Sequence, residues 1–335
     1  MGTPFFSIVI PIYNGISNGL PTCLDSIWGQ SLDKSAYEVI CVDDCSSDNT
    51  RQWLKEEKEK HPNLHVIENE ANIRQGGSRN KGVKAAQGKY IIFIDQDDYY
   101  HKESITEVYN HLQKTDLEIL IVDCAYQYPG VESNKLQHNY PHREVMTGDE
   151  QIEKNSIPYA PWKFIFLRSL MVENGLFFAE NERIEDVDWV HILTHHAIRT
   201  QYQPILLVHY NKTAVSTTMT SYKSPVTVYS TLRVGKRLTM LSQTTFKYSN
   251  DCVRSYIVDL GSRMYHIGIR SYFFFYDSIK TKSTNIKNTS KEIKSNSFIS
   301  KIAIKFPKTF SAITNMLSPI GNVAMYFYRV IKYKK

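Results

Sequence analysis

The sequence predicts an α/β fold, a doubly wound and mostly parallel sheet followed by a helical C-terminal extension. Two observations carry this expectation. From Phe5 to Val122, short apolar runs alternate with segments of helical period across brief connections, the pattern of a parallel sheet with right-handed crossovers. From about Ser224 onward the chain reads as helices instead.

The first strand is Phe5-Phe6-Ser7-Ile8-Val9-Ile10, ending at Pro11 and followed by Ile12-Tyr13-Asn14 and an Asn-Gly turn. Leu20, Leu24 and Ile27 then recur at i, i+4 and i+7, a helix face running to about Gln30. Tyr37 to Val42 is a second buried strand closing on Asp43-Asp44-Cys45-Ser46-Ser47-Asp48, and Asp48 to Lys60 reads as a helix with Ser47 or Asp48 as its cap. Leu64 to Ile67 is the third strand. A short helix through Arg79-Asn80 runs to Ala86, with Gly88 as its expected left-handed stop. Tyr90 to Ile94 follows, then a helix from Lys102 to Gln113 and a fifth strand from Leu117 to Val122. Beyond Asp123 the pattern turns irregular, with a short strand expected at Leu176-Phe177-Phe178, a helix opening at Glu185-Asp186 and a last strand from Pro204 to Tyr210.

The Tyr90 strand is the one to watch. An apolar run this short is a fully buried, central strand, and it ends in Asp95-Gln96-Asp97-Asp98. Open α/β sheets place ligands at such carboxyl ends. Three carboxylates within four positions repel one another unless a hard cation or positive ligand sits among them, although Asp-rich turns also simply terminate strands. Neither GxGxxG nor GxxxxGK[ST] follows the first strand, so the dinucleotide and P-loop fingerprints are absent.

Composition sets the frame. Of 335 residues, 42% are hydrophobic and 22% charged, enough for a sizeable core. The N-terminus has no basic n-region, and no run approaches the ~18 apolar residues of a membrane span. Five cysteines without CxxC spacing argue against a disulfide framework or zinc site and for a reducing, cytoplasmic setting. Charge is uneven. Ser278 to Lys335 carries 12 Lys/Arg against the single acid Glu292, while the remainder holds 28 basic and 33 acidic residues. Apolar stripes beside Lys301, Lys305 and Lys308, and a Tyr/Phe-rich basic end, lead us to expect either peripheral contact with the inner face of a membrane or packing on the protein itself. No nucleic-acid module is recognisable.

Several stretches coincide with one pattern: Ser7 to Asn14, Cys23-Leu24-Asp25-Ser26-Ile27 with Gln30, Asp43-Asp44-x-Ser46-x-Asp48, Asn72, Arg79-Asn80-x-Gly82, Asp95-x-Asp97-Asp98, and Glu185-Asp186. In this order they resemble the inverting family 2 glycosyltransferases, over roughly residues 5 to 220. The resemblance implies a GT-A fold, with a nucleotide-sugar half over 1–123, an acceptor half over 124–220 and a helical extension over 221–335. It also implies a nucleotide-sugar donor, a saccharide or lipid-linked acceptor, and a divalent cation, Mn²⁺ or Mg²⁺. On it, Asp97 reaches the metal and Asp95 the ribose. Pro11 and Tyr13 line the base pocket, Asp44 accepts from uracil, which favours UDP, and Arg79 meets base or diphosphate. Asp186 is the base, kept ionised by its helix dipole. Trp162, Glu185, His209 and Ser216 are the expected acceptor or diphosphate contacts, with a core role for Trp162 equally open. Cys45 and Arg74 stand where the family commonly has Gly, and Cys45 suggests a turn that does not need positive φ. Two other classes stay open: a catalytically silent scaffold, against which Asp97 and Asp186 argue, and a nucleotidyltransferase, which would carry a Gly-rich loop directly after the first strand.

Overall fold

In the computed structural model, residues 2–128, 130, 132–212 and 225–275 are described. Ser216 and the basic tail therefore lie outside the described residues. The chain divides into two compact units, Met1–Ser216 and Thr217–Lys335.

The first unit is built on an eight-stranded sheet. Its strands are β1 (Phe6–Ile12), β2 (Tyr37–Asp43), β3 (Leu64–Glu68), β4 (Tyr90–Phe93), β5 (Tyr99–Tyr100), β6 (Ile119–Gln127), β7 (Phe164–Leu167) and β8 (Thr200–Asn211). They lie in the order β3-β2-β1-β4-β7-β6-β8-β5. The pairs β1–β2, β1–β4, β2–β3 and β6–β8 are parallel. β7 runs antiparallel between β4 and β6, and β5 antiparallel on β8. The helices are α1 (Leu20–Trp28), α2 (Thr50–Lys60), α3 (Arg74–Ala85), α4 (Ser104–Leu112), α5 (Gly148–Lys154), α6 (Arg168–Glu173) and α7 (Asp186–His196).

Every residue of β1, β2 and β4 is buried, as a strand covered on both faces requires. Pro11 is tolerated inside β1 for a geometric reason. The Ile94 amide donates to the Val9 carbonyl, so alternate residues from Val9 face β4, while Asp44 donates to Ile12 on the β2 side. The missing N–H of Pro11 thus points past the end of the β4 pairing, which stops at Val9 and Phe93. The strand continues one residue beyond it.

Three expectations are corrected. Gly88 is not a left-handed stop. A Cβ there would meet the Phe6 carbonyl carbon and Ser7 amide at 2.6 Å, so it is glycine because β1 passes against it. Its N–H donates to Ser7 Oγ at 2.8 Å and to Glu38 Oε1 at 3.1 Å. Leu176-Phe177-Phe178 is not a strand. Asn80 captures it, its Nδ2 donating to the Phe178 carbonyl at 3.0 Å and its Oδ1 accepting the Phe178 amide at 2.9 Å. Phe178 then stacks on Trp189 with centroids 4.0 Å apart. Finally, β5, β7, α5 and α6 join the predicted elements, and β7 sits in the middle of the sheet.

In the second unit, α8 (Pro225–Leu241) and α9 (Asp251–Phe275) cross at Gly235 and Gly261. A methyl on either would meet the other's carbonyl oxygen, at 2.8 and 3.0 Å. Among the described residues, no helix is long and apolar enough to cross a membrane.

Candidate active site

The acidic turn leaves β4 through Ile94. The Asp98 amide donates to the Asp95 carbonyl at 3.1 Å, which closes the turn. The buried Asp98 carboxylate accepts the Asn211 amide at 2.9 Å, and Asn211 Nδ2 donates to the Asp97 carbonyl at 2.6 Å. Asp98 thus fastens the turn to the end of β8. Burial, then the neighbouring Asp97 and Asp95, hold Asp98 well above the usual carboxylate range. Burial and then Asp95 push Asp97 up to about 6. Asp98 Oδ2 has no hydrogen-bond partner. Carboxyls crowded and desolvated in this way are relieved by a cation, which would favour their ionised forms. Among the described residues, no group of three or more His, Cys, Asp or Glu side chains could hold a metal alone. That donor set fits a Mg²⁺- or Mn²⁺-type ion that takes one carboxylate and completes its shell with phosphate oxygens and water.

Arg79 organises the other side of the turn. It lies on the buried face of α3 and is only 2% exposed. Its Nη2 donates to Asp95 Oδ1 at 2.7 Å and its Nη1 to Glu185 Oε1 at 2.8 Å. The Phe93 and Phe178 rings flank the guanidinium, with centroids at 5.8 and 5.5 Å. Arg79 therefore joins the acidic turn to the start of α7 from inside the protein. Neither a surface ion pair nor a group presented to a base or diphosphate matches this enclosure. Gly76 makes the space, because a Cβ there would meet Glu185 Cγ and the Ala179 carbonyl at 2.9 Å.

Glu185 occupies the N-cap of α7 without capping it, and Asp186 is its first residue, half-buried. Burial, then the adjacent Glu185, raise Asp186 well above the usual carboxylate range, with Arg79 opposing. Glu185 is raised by its own burial, again against Arg79. The expectation that the helix dipole keeps Asp186 readily ionised is reversed, since desolvation outweighs the dipole. Asp186 is consequently the stronger base.

At the end of β1, where the sequence led us to expect a base pocket, Tyr13 is 47% exposed and Pro11 is buried. Asp44 holds a loop. Its Oδ1 accepts Asn69 Nδ2 and the Ile73 amide, and its Oδ2 the Arg74 amide, all at 2.8 Å. Three of about four acceptor positions are used within the chain, leaving one free lone pair. Arg51 Nε, not singled out from sequence, donates to Asp43 Oδ2 at 2.7 Å. Cys45 and Arg74 both adopt positive φ, 66° and 65°. The turn at Cys45 does demand a left-handed residue, so that expectation is corrected.

The expected acceptor contacts separate. Trp162 is buried and stacks on Tyr210 at 5.5 Å, a core tryptophan without an open sugar-facing surface. His209 is buried with both ring nitrogens engaged, Nε2 with His101 Nδ1 at 2.9 Å and Nδ1 with Gln127 Nε2 at 2.5 Å. Burial, and then His101, lower it to about 4. A neutral, fully partnered imidazole has nothing to offer a diphosphate. Ser216 lies outside the described residues. Sequence reading passed over Lys163, buried, with Nζ 2.7 Å from Asp123 Oδ1 and 2.7 Å from His138 Nδ1. Asp123 is held down at about 2, chiefly by the His138 and Lys163 partners acting against its burial.

The family profile described as Glycosyl transferase family 2 matches residues 7–175. The chain belongs to this family. It is 40% identical over 174 residues to a poly(ribitol-phosphate) beta-glucosyltransferase of Bacillus spizizenii, covering 51% of this chain and 26% of that protein. It is 29% identical over 177 residues to the poly(ribitol-phosphate) beta-N-acetylglucosaminyltransferase TarS of Staphylococcus aureus, covering 52% and 30%. The chain thus spans under a third of the length of these two relatives. The crystal structure of S. aureus TarS 1–349 in complex with UDP-GlcNAc superposes with a TM-score of 0.63 at 19% identity, covering 86% of this chain and 81% of that one. This likeness shows the GT-A fold. A mannosyltransferase of Pyrobaculum calidifontis in complex with GDP-Man and Mn²⁺ shares it at a TM-score of 0.51 and 13% identity, over 95% and 88% of the two chains.

Proposed function

We propose that this family 2 glycosyltransferase moves a sugar with inversion from a UDP-sugar to a hydroxyl of a surface-polymer acceptor, a saccharide, lipid-linked saccharide or polyol phosphate. The observation that carries the reading is the Arg79 bridge, which ties the turn bearing Asp95 and Asp97 to the helix bearing Asp186. In this reading Tyr13 offers a ring face to the base and the remaining lone pair of Asp44 accepts from it. Asp95 reaches the ribose. Asp97 would hold a divalent cation, which when bound supplies charge neutralisation to the leaving diphosphate. Asp186 takes the proton of the acceptor hydroxyl as its oxygen attacks the anomeric carbon and the bond to the diphosphate breaks, the electron pair leaving with the nucleoside diphosphate. Only the ionised form of Asp186 does this, and the raised proton affinity that lowers its share near neutral pH makes that form the stronger base. The poly(ribitol-phosphate) acceptors named for the relatives make a polyol phosphate the first acceptor to try. Screening UDP- and GDP-sugars with Mn²⁺ and poly(ribitol phosphate) tests the reading. Product from a UDP-sugar supports it, and turnover with GDP-sugars alone would overturn the choice of nucleotide.

A further inference from the structure

The middle residue of the acidic turn makes contacts that neither metal nor ribose binding requires. Gln96 Oε1 accepts the Tyr13 amide at 2.9 Å, and Gln96 Nε2 donates to the Tyr13 carbonyl at 2.9 Å. The side-chain amide thus pairs with Tyr13 as one strand residue pairs with another, across 83 positions of sequence. The same loop packs directly on the turn at Gly19. There φ is +94°, and a Cβ would lie 3.1 Å from Asp97 Cα and 3.3 Å from the Gln96 carbonyl oxygen. Asn14 extends the linkage away from the turn, its amide donating to Ser46 Oγ at 2.8 Å and its Oδ1 accepting the Ser47 amide at 2.9 Å. Ser46 and Ser47 follow Asp44 after a single intervening residue, Cys45. One hydrogen-bonded arc therefore runs from Asp97 through Gln96, Tyr13 and Asn14 to the loop of Asp44.

We infer that Gln96 is a positioning residue that sets the distance between the nucleoside contacts and the diphosphate end of the donor site. The inference rests on the proposed nucleotide-sugar reading and deepens it. A nucleoside diphosphate must meet Tyr13 and the acidic turn at once, and two contacts on one ligand reinforce each other only when their spacing is held. Releasing Tyr13 leaves each contact intact but lets the spacing wander. Ligands that span both ends weaken, and a ligand confined to the diphosphate end does not.

Titration calorimetry on the full chain in Mn²⁺, with UDP and with inorganic pyrophosphate as probes, separates these cases. Gln96→Met removes both hydrogen bonds at similar volume. We expect it to weaken UDP about tenfold, the loss of two hydrogen bonds of ordinary net strength, and to leave pyrophosphate within about twofold. Gln96→Glu keeps the acceptor for the Tyr13 amide but opposes the Tyr13 carbonyl, so its UDP affinity should fall between wild type and Gln96→Met. Parallel weakening of UDP and pyrophosphate would mean that Gln96 only shapes the turn, and unchanged UDP affinity would mean that the clamp does nothing; either overturns the inference. If wild-type protein binds neither UDP nor GDP, the donor reading itself fails, a result distinct from both.

Discussion

Removing Arg79 tests the core of the site. Arg79→Met keeps an unbranched apolar stem and deletes the charged guanidinium. The guanidinium is 2% exposed and makes ion pairs of 2.7 and 2.8 Å to Asp95 and to the almost fully buried Glu185. Breaking a buried pair leaves an uncompensated charge at a cost of about 3–5 kcal/mol, more than the pair itself contributes. For a unit of the size of Met1–Ser216, each kcal/mol moves Tm by about 2–4 °C, so a fall of roughly 6–20 °C is expected. Thermal unfolding by circular dichroism reads it directly. Arg79→Met/Glu185→Gln should recover part of the loss, because a neutral amide replaces the orphaned carboxylate. Arg79→Lys should fall between, since an ammonium cannot span two carboxylates as a planar fork does. A loss below about 1 kcal/mol in Arg79→Met, the range of an exposed pair, would refute the reasoning.

Two other outcomes follow from the same geometry. A cation at Asp97 must displace a proton held at about 6, so Mn²⁺ affinity should climb between about pH 5 and 7 and then level, because only the ionised carboxylate is a ligand; Asp97→Asn should flatten that dependence, and calorimetry across pH checks both. Cys45 and Arg74 hold positive φ, so Cys45→Gly and Arg74→Gly should each stabilise the protein by about 0.5–1 kcal/mol in urea unfolding, relief of left-handed strain exceeding the entropy glycine adds to the unfolded chain.

The parallel half of the sheet was legible because its strands are short, continuous apolar runs between clear helices. β7 was not. Phe164-Ile165-Phe166-Leu167 is as apolar as β1, but it enters antiparallel from a region without alternation, so nothing local says that it fills the gap between β4 and β6. The site divides the same way. The positions of Asp95, Asp97 and Asp186 could be read because each sits at a strand end or a helix start. Arg79 was found, but its enclosure was not, because burial there depends on Phe178 and Glu185, about a hundred positions away. Lys163 was passed over for a like reason, its partner Asp123 lying 40 residues upstream. His209 and Trp162 looked available because sequence does not reveal that Gln127, His101 and Tyr210 already occupy them. Gly88 was recognised as special and assigned the wrong reason, since a close approach and a left-handed turn both select glycine.

The account turns on Asp186 as the base. Asp186→Asn keeps the shape of the side chain and removes its ability to take a proton. Measured side by side, UDP-sugar binding in Mn²⁺ should stay within about threefold of wild type while transfer falls by about 10²-fold or more, the range a positioned base supplies. Transfer at the wild-type rate, with binding intact, would contradict the assignment and leave the Arg79 bridge without the role proposed for it.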